Sequence, residues 1–362
     1  MGLALRLAAK GRYRTAPNPM VGAVLVQRGA IVGSGWHRQV GGPHAEVEAL
    51  REAGDRARGA TMFVTLEPCA HHGRTPPCTD AVIEAGVAKV VACHRDPDPR
   101  VSGLGFDLLR AAGIEVEVGA MAREAVRLNL RFLIAATLQR PEVTLKWAMS
   151  LDGRIATATG QSQWISSLAG RRWALGLREE HDATLVGSGT VLADDPRLDR
   201  RLGLAAGPGL RVILDRRLRV PPEARLFTVP GQVLIYTEAA DSGKRRALEA
   251  RGATVVVLPG VEPAAVLADL YEREVRSVLV EGGGEVHGSF VTSGCFDCVA
   301  IDCAPLLIGG KAAPGPLGGA GFQALAEAAR LDGLVARLRG GDLILSGYRK
   351  GCLPDLYKSV GA

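Results

Sequence analysis

His44, Glu46, Cys69 and Cys78 carry the most evident chemistry in this chain. One imidazole and two thiolates form the donor set of a catalytic zinc site, which takes three protein ligands and keeps a fourth position for water. Glu46 is left free to move protons to and from that water. In the middle of a helix, a His and a Glu two residues apart point away from each other. Here they follow Pro43 and fall in a first turn, where both side chains can reach the helix mouth. Pro68-Cys69 follows the strand-like run ATMFVTL, and Cys78 precedes the helical run TDAVIEAG. Positive helix ends favour thiolates. On spacing alone, a surface His-Glu pair with structural cysteines is the competing reading.

The second half carries LKWAMSLDGRIA, GQSQWIS, VGSGTVLADDP and VEGGGEVHGSF, in that order. Gly187–Thr190 is too short for a dinucleotide fingerprint and reads as a turn. Gly282-Gly283-Gly284 directly follows the run SVLVEG and opens the helical run EVHGSF. Backbone N–H groups at such a helix mouth suit a pyrophosphate; a close strand–helix turn is the alternative. The remaining cysteines are Cys93, Cys295, Cys298, Cys303 and Cys352. Cys295-x-x-Cys298 resembles half a zinc site but has no second ligand pair nearby, so core packing is expected.

The elements that must position these residues follow from periodicity. The chain has 362 residues, and at ~100–200 residues per domain two domains are expected. Residues 2–11 read as an amphipathic helix. MVGAVLVQ and AIVGSGWH read as a hairpin turning at Arg28-Gly29. PHAEVEALREAG is a helix opened by Pro43 and closed near Gly54. The strand ATMFVTL, the helix TDAVIEAG, the strand AKVVAC, the helix LGFDLLRAAG and the strand IEVEVG continue an α/β alternation. Residues 119–140 read as one helix, and Pro141 marks the boundary. The second series has the strands VTLKWAMS, ATLVG, LRVILD, QVLIY, ATVVVL, SVLVEG, FDCVAI and, last, DLILSGY. GGKAAPGPLGGAGF is a loop and GCLPDLYKSVGA a tail. The expected division is 1–140, 141–348 and a tail of 349–362.

The net charge is +6. Its densest runs are Arg171-Arg172, Arg200-Arg201, Arg216-Arg217 and Lys244-Arg245-Arg246. They are scattered and nearly free of aromatic neighbours, which argues against a nucleic-acid face and for solvated surface or small phosphate sites. No run of 18 apolar residues exists, so no membrane span is expected. The N-terminus places its basic residues after the apolar stretch, the wrong order for a secretory signal. A cytoplasmic protein is expected.

Zinc nucleobase deaminases pair H-x-E with P-C-x-x-C, whereas here the two cysteines are nine apart, in PCAHHGRTPPC. PNPMVGAVLV, GPHAEVEAL and TLEPCAHHGRTPPC resemble the deaminase half of the bifunctional riboflavin-biosynthesis deaminase–reductases, a family marked by that long insert. The resemblance implies an α/β protein: a cytidine-deaminase-like three-layer domain, then a dihydrofolate-reductase-like α/β domain matched from about Val143 to Tyr348. It implies Zn2+ on His44, Cys69 and Cys78, with Glu46 as proton shuttle and Asn18 holding the pyrimidine. His71, His72 and Arg74 would line the substrate pocket or simply cap their loop. In the second half it implies NADPH on Ala148, Trp164, Thr190, Asp194, Arg216 and the run Gly283, Gly284, Glu285, Val286, His287, Gly288 and Ser289. Substrate would meet Ser162, Arg178, Leu198, Arg201 and Glu281. Arg178 and Arg201 suit its phosphate by charge, with surface arginines as the alternative. Lys146 and Asp152 sit in the same signature without an assignable role. The implied reactions are hydrolytic deamination of a free phosphoribosyl-aminopyrimidine and hydride transfer to C1 of its opened ribose.

The competing function is a deaminase of tRNA bases with an accessory domain. No nucleic-acid or membrane partner is expected, and a homo-oligomer is. Family members usually carry a few more residues before the first helix, so an upstream start is an open alternative.

Overall fold

A computed structural model of the chain describes residues 1–70, 76–98 and 101–361. His71, His72 and Arg74 lie outside the described residues. The chain divides into two compact units, Met1–Gln139 with Leu353–Ala362, and Arg140–Cys352.

The first unit runs α1 (Gly2–Ala8), β1 (Gly22–Gln27), β2 (Ala30–Trp36), α2 (Ala45–Ala53), β3 (Thr61–Val64), α3 (Cys78–Glu84), β4 (Lys89–Ala92), α4 (Leu104–Ala111), β5 (Glu115–Val118), α5 (Ala122–Leu128) and α6 (Leu130–Leu138). Its sheet has the order β2-β1-β3-β4-β5. β1 is antiparallel to β2 and β3, and the rest is parallel. The β1–β2 turn is Arg28-Gly29, with φ of 51° and 79°, the two positive values a tight hairpin needs.

Alternation sends successive residues to opposite faces. Ala23 and Leu25 join Ala45, Ala49 and Ala53 in one core, while Val24 packs on Ala4 and Leu7. Helices therefore cover both faces. Glycines bring α2 unusually close to the sheet: a Cβ on Gly33 would sit 2.2 Å from the Ala49 carbonyl oxygen, and one on Gly35 2.5 Å from that of Ala45.

The helix expected over 119–140 is two. It breaks at Asn129, where the backbone leaves helical geometry (φ −103°, ψ 24°). The Asn129 amide instead bonds the backbone N–H and carbonyl of Met20, at 2.8 and 2.9 Å. A side chain that bonds backbone elsewhere competes with the helix.

The second unit runs β6 (Glu142–Ser150), α7 (Leu168–Glu180), β7 (Ala183–Gly187), α8 (Ser188–Asp194), β8 (Leu210–Leu214), β9 (Val233–Thr237), α9 (Ser242–Glu249), β10 (Ala253–Val257), α10 (Pro263–Glu272), β11 (Ser277–Gly282), α11 (Gly284–Thr292), β12 (Cys298–Ala304), β13 (Leu331–Arg339) and β14 (Asp342–Arg349). The sheet order is β10-β9-β8-β7-β11-β6-β12-β14-β13. Pairing is parallel up to β12, and β14 is antiparallel to both its neighbours. The central strands are near-continuous apolar runs because they are buried on both faces. Val212, Leu234 and Tyr236 feed one core, and Ile213, Val233 and Ile235 another.

Two expectations are corrected. Strand β13 was not anticipated. It forms the sheet edge, every residue at least partly exposed, so nothing selects the apolar alternation that marks a buried strand. The expected tail contains α12 (Cys352–Ser359). Leu353, Leu356 and Val360 are buried, a helical spacing that commits one face to the first unit.

Candidate active sites

The first unit brings His44, Cys69 and Cys78 together. His44 is the residue before α2, with extended backbone (φ −74°, ψ 162°), and Glu46 lies in the first turn. Cys78 is the first residue of α3, and Cys69 follows the end of β3. His44 Nδ1 lies 3.0 Å from Cys78 Sγ and 3.5 Å from Cys69 Sγ. The Cys78 N–H donates to Cys69 Sγ at 3.3 Å. All three ligand atoms lie within 4.8 Å of one another, the one such group found among the described residues. Tetrahedral zinc, with Zn–S near 2.3 Å and Zn–N near 2.0–2.1 Å, would separate a ring nitrogen from a thiolate by roughly 3.5 Å, which the His44–Cys69 distance meets.

The electrostatics agree with that donor set. A hydrogen bond from Cys78 pulls the Cys69 thiol down to about 4, with His44 adding to the effect against burial. The same pairing, and burial, push Cys78 up. The pair thus carries one thiolate and one proton that a cation would displace. Glu46 is 3% exposed. Burial first, then the Cys69 charge, raises its carboxyl to about 7. Its Oε2 is buried without a hydrogen-bond partner, which calls for an explanation by function or an unseen group.

Asn18 Nδ2 lies 3.2 Å from His37 Nε2. The His37 ring meets that of His44 edge-on, with centroids 5.5 Å apart, and its Nδ1 faces the Pro43 carbonyl at 3.1 Å. Sequence reasoning missed His37. Its only signal was a polar ring at the end of an apolar hairpin.

In the second unit a cavity of about 1610 Å3 opens along the ends of the parallel strands. Its volume exceeds the roughly 300–1,000 Å3 of a usual ligand pocket, enough for cofactor and substrate side by side. Of the residues expected at NADPH, Ala148, Trp164, Thr190, Asp194, Arg216, Gly283, Gly284, Glu285, Val286, His287 and Ser289 line it. Gly288 does not. It packs on the Gly318 carbonyl, which a Cβ would approach to 2.2 Å. Gly283 precedes α11 with a φ of 77°, so the strand turns into the helix with its first N–H groups at the cavity. The turn expected at Gly187–Thr190 likewise opens a helix, α8. The fit to a phosphate-bearing dinucleotide rests on this glycine mouth and on the cavity's arginines.

Ser162, Arg178, Leu198, Arg201 and Glu281 also line the cavity. Ser162 Oγ donates to Asp194 at 3.2 Å. Arg178 does not present a free fork, because its Nε and Nη2 both donate to Glu281, each at 2.7 Å. Burial would push Glu281 up, but Arg178 pulls it down to about 2. Arg201, bonded by Nε to Asp199 at 2.7 Å and 43% exposed, is the better phosphate partner of the two. Arg216 faces Glu238 and Glu262 at 3.3 and 3.4 Å. Lys146 lines the cavity. Asp152 takes N–H groups from Ile308 and Gly309, at 3.0 and 2.7 Å, and so holds a loop. Cys298 and Cys303 lie on β12, and all seven cysteines are free.

Comparison with known proteins gives two family matches. Residues 141–344 match the RibD C-terminal domain, and residues 1–94 match the cytidine and deoxycytidylate deaminase zinc-binding region. The riboflavin biosynthesis protein RibD of Aquifex aeolicus is 43% identical over 345 residues, 95% of this chain and 96% of that one. A solved structure of Acinetobacter baumannii RibD superposes with a TM-score of 0.88 at 38% identity, covering 96% of this chain and 97% of that one. A Thermotoga maritima diaminohydroxyphosphoribosylaminopyrimidine deaminase/5-amino-6-(5-phosphoribosylamino)uracil reductase gives 0.85 at 36%, with the same coverage.

Proposed function

The chain belongs to the RibD family of bifunctional riboflavin-biosynthesis deaminase–reductases, and from that premise we propose how its residues divide the two reactions. The activity is zinc-dependent hydrolytic deamination of 2,5-diamino-6-(5-phosphoribosylamino)pyrimidin-4(3H)-one, then NADPH reduction of the ribosyl side chain to ribityl. The product is 5-amino-6-(5-phosphoribitylamino)uracil.

His44, Cys69 and Cys78 hold the zinc, which when bound supplies a water acidified to near-neutral pKa. Glu46 takes the proton from the attacking water and returns it to the departing 2-amino nitrogen. A buried carboxyl beside the zinc-type donors is placed to do both. Asn18 orients the pyrimidine.

In the second unit the mouth of α11 and the arginines bind the phosphates of NADPH, which when bound supplies the hydride. Arg201 binds the substrate phosphate. The Arg178–Glu281 pair shapes the wall at the sugar, and Ser162 sets the loop beside it.

The observation that carries this reading is the buried, partnerless Glu46 oxygen beside three zinc-type donors. The test is Glu46→Gln, which keeps shape and removes the base. Deamination should fall by ~10²–10⁴-fold, with zinc content unchanged. Reduction of the deaminated intermediate should continue at the parental rate; loss of both activities with the fold intact overturns the two-site reading.

The substrate is a free small molecule. We place the enzyme in the cytoplasm, supported by seven cysteines free of disulfides; among the described residues no helix is long and apolar enough to cross a membrane. We also propose a homo-oligomer joined at the free edge of β13, where Leu334 and Leu338 are 58% and 81% exposed. No observation favours the tRNA-base alternative.

A further inference from the structure

One strand from the cavity wall lies a pair of buried carboxylates that neither reaction uses. Asp302 on β12 and Asp342 at the start of β14 are 1% and 2% exposed. Asp302 pairs in register with Ala148 of β6, a cavity residue. Both side chains converge on Gly170, in the first turn of α7. A Cβ there would sit 2.2 Å from Asp302 Oδ2 and 2.3 Å from Asp342 Oδ2. Only a glycine leaves that space, and two carboxylate oxygens fill it.

Asp342 Oδ2 accepts the Ser167 N–H at 2.8 Å. Ser167 caps α7, its hydroxyl accepting from the Gly170 N–H. Asp302 Oδ1 is buried without a partner. Ionising both carboxylates in one buried site is costly, and the proton that relieves the cost sits on Asp302, directed toward Asp342. The single remaining negative charge faces the N-terminus of a 13-residue helix, where the dipole favours it. Burial, followed by the Asp342 charge, holds the Asp302 carboxyl above its ordinary range.

We propose that Asp302 and Asp342 are positioning residues for the reductase: converging on Gly170, with a proton on Asp302 between them, they latch the cap of α7 and the preceding strap, residues 155–167, and thereby fix the wall bearing Ser162, Trp164 and Arg178. Ser166 of the strap and Lys146 of β6 favour the ionised form of Asp302, and Asp342 of β14 opposes it. Cys303, on the same strand as Asp302, senses both carboxylates. Arg171 of α7 turns away, to the Ser166 carbonyl at 3.5 Å and the Trp164 ring at 4.4 Å.

A group whose folded pKa is raised stabilises the latch while it is protonated and loses that effect as pH rises through the folded value. Above it, two like charges force the pair apart, and the strap loosens.

The inference rests on the assignment of the cavity to NADPH. The test measures NADPH Kd between pH 4 and 9 for the full chain, with circular dichroism and thermal melting of the reductase unit as the control of folding. In the parent, Kd should rise as pH rises. Asp302→Asn, whose amide donates to Asp342 at every pH, should match the parent at low pH and stay flat. Asp342→Ala should raise Kd about tenfold throughout. A flat parental profile, a rise with pH that persists in Asp302→Asn, or normal binding by Asp342→Ala overturns the proposal. If Asp342→Ala does not fold, the Asp302→Asn profile decides alone. If the parent binds no NADPH at any pH, the cavity assignment has failed instead.

Discussion

At the scale of single residues, what a charge can do depends on which partner already holds it. Arg216 lies just beyond the C-terminal end of β8, where an arginine can accommodate the 2′-phosphate of NADPH. It lines the cavity, yet its guanidinium is 57% exposed and shared with Glu238 and Glu262. Exposed pairs of this kind are worth only ~0–1 kcal/mol, so a phosphate can compete for the arginine while the carboxylates dilute the gain. Arg216→Ala should therefore weaken NADPH by about three- to tenfold, below the roughly tenfold or more of an undiluted charge-assisted bond, and leave NADH unchanged. Separate Kd values for the two cofactors check this. Equal losses for both, or none for either, would remove Arg216 from the specificity site.

At the scale of elements, close approaches set the active-site geometry. The zinc-type donors converge because α2 lies almost on the backbone of β2. Gly35→Ala would drive a methyl into the Ala45 carbonyl, 2.5 Å away, beside both His44 and Glu46. Overpacking of this kind costs ~1–3 kcal/mol. Zinc affinity and deamination should fall at least tenfold while reduction persists, which metal analysis and the two assays separate. In the second unit, α7 and β11 are joined by Arg178–Glu281, with side chains 13% and 9% exposed. Glu281 is depressed to about 2 from an ordinary 4.5. A depressed carboxyl contributes stability above its unfolded pKa and loses it as pH falls through the folded one. Melting of the reductase unit should therefore lose ~3 kcal/mol between about pH 4.5 and 2. Glu281→Gln should be less stable at pH 7 and lack that acid limb. An identical limb in the variant would assign it to other groups.

At the scale of the whole molecule, each unit carries its own core and its own chemistry. This is why a lesion in one half should spare the other. The nine-stranded sheet ends in β13, and an unpaired edge bearing exposed leucines invites another strand. Leu338→Lys places a charge on that edge. Light scattering should show the assembly shifting to monomer, with deaminase activity retained. An unchanged mass would place the interface elsewhere.

The amino-acid sequence determined what depends on local pattern. His-x-Glu after Pro43, the two cysteines at strand and helix ends, the Arg28-Gly29 hairpin and the glycine run opening α11 are short-range signals. Each states its chemistry and its backbone geometry within a few residues. The alternation of apolar strands and helices likewise named both α/β units. Tertiary structure decided what depends on partners distant in the chain. Asn129 breaks a helix because Met20 is there to bond it. Arg178 is an internal ion pair because Glu281, on another element, reaches it. Gly288 turns from the cavity onto Gly318. Asp302 and Asp342 become a pair only when β12 and β14 meet α7. Strand β13, exposed on the sheet edge, and α12, folded back on the first unit, had little local pattern to announce them. The physical reason is common to all: a side chain's type is local, but the partner that takes up its charge, hydrogen bond or volume is chosen by packing.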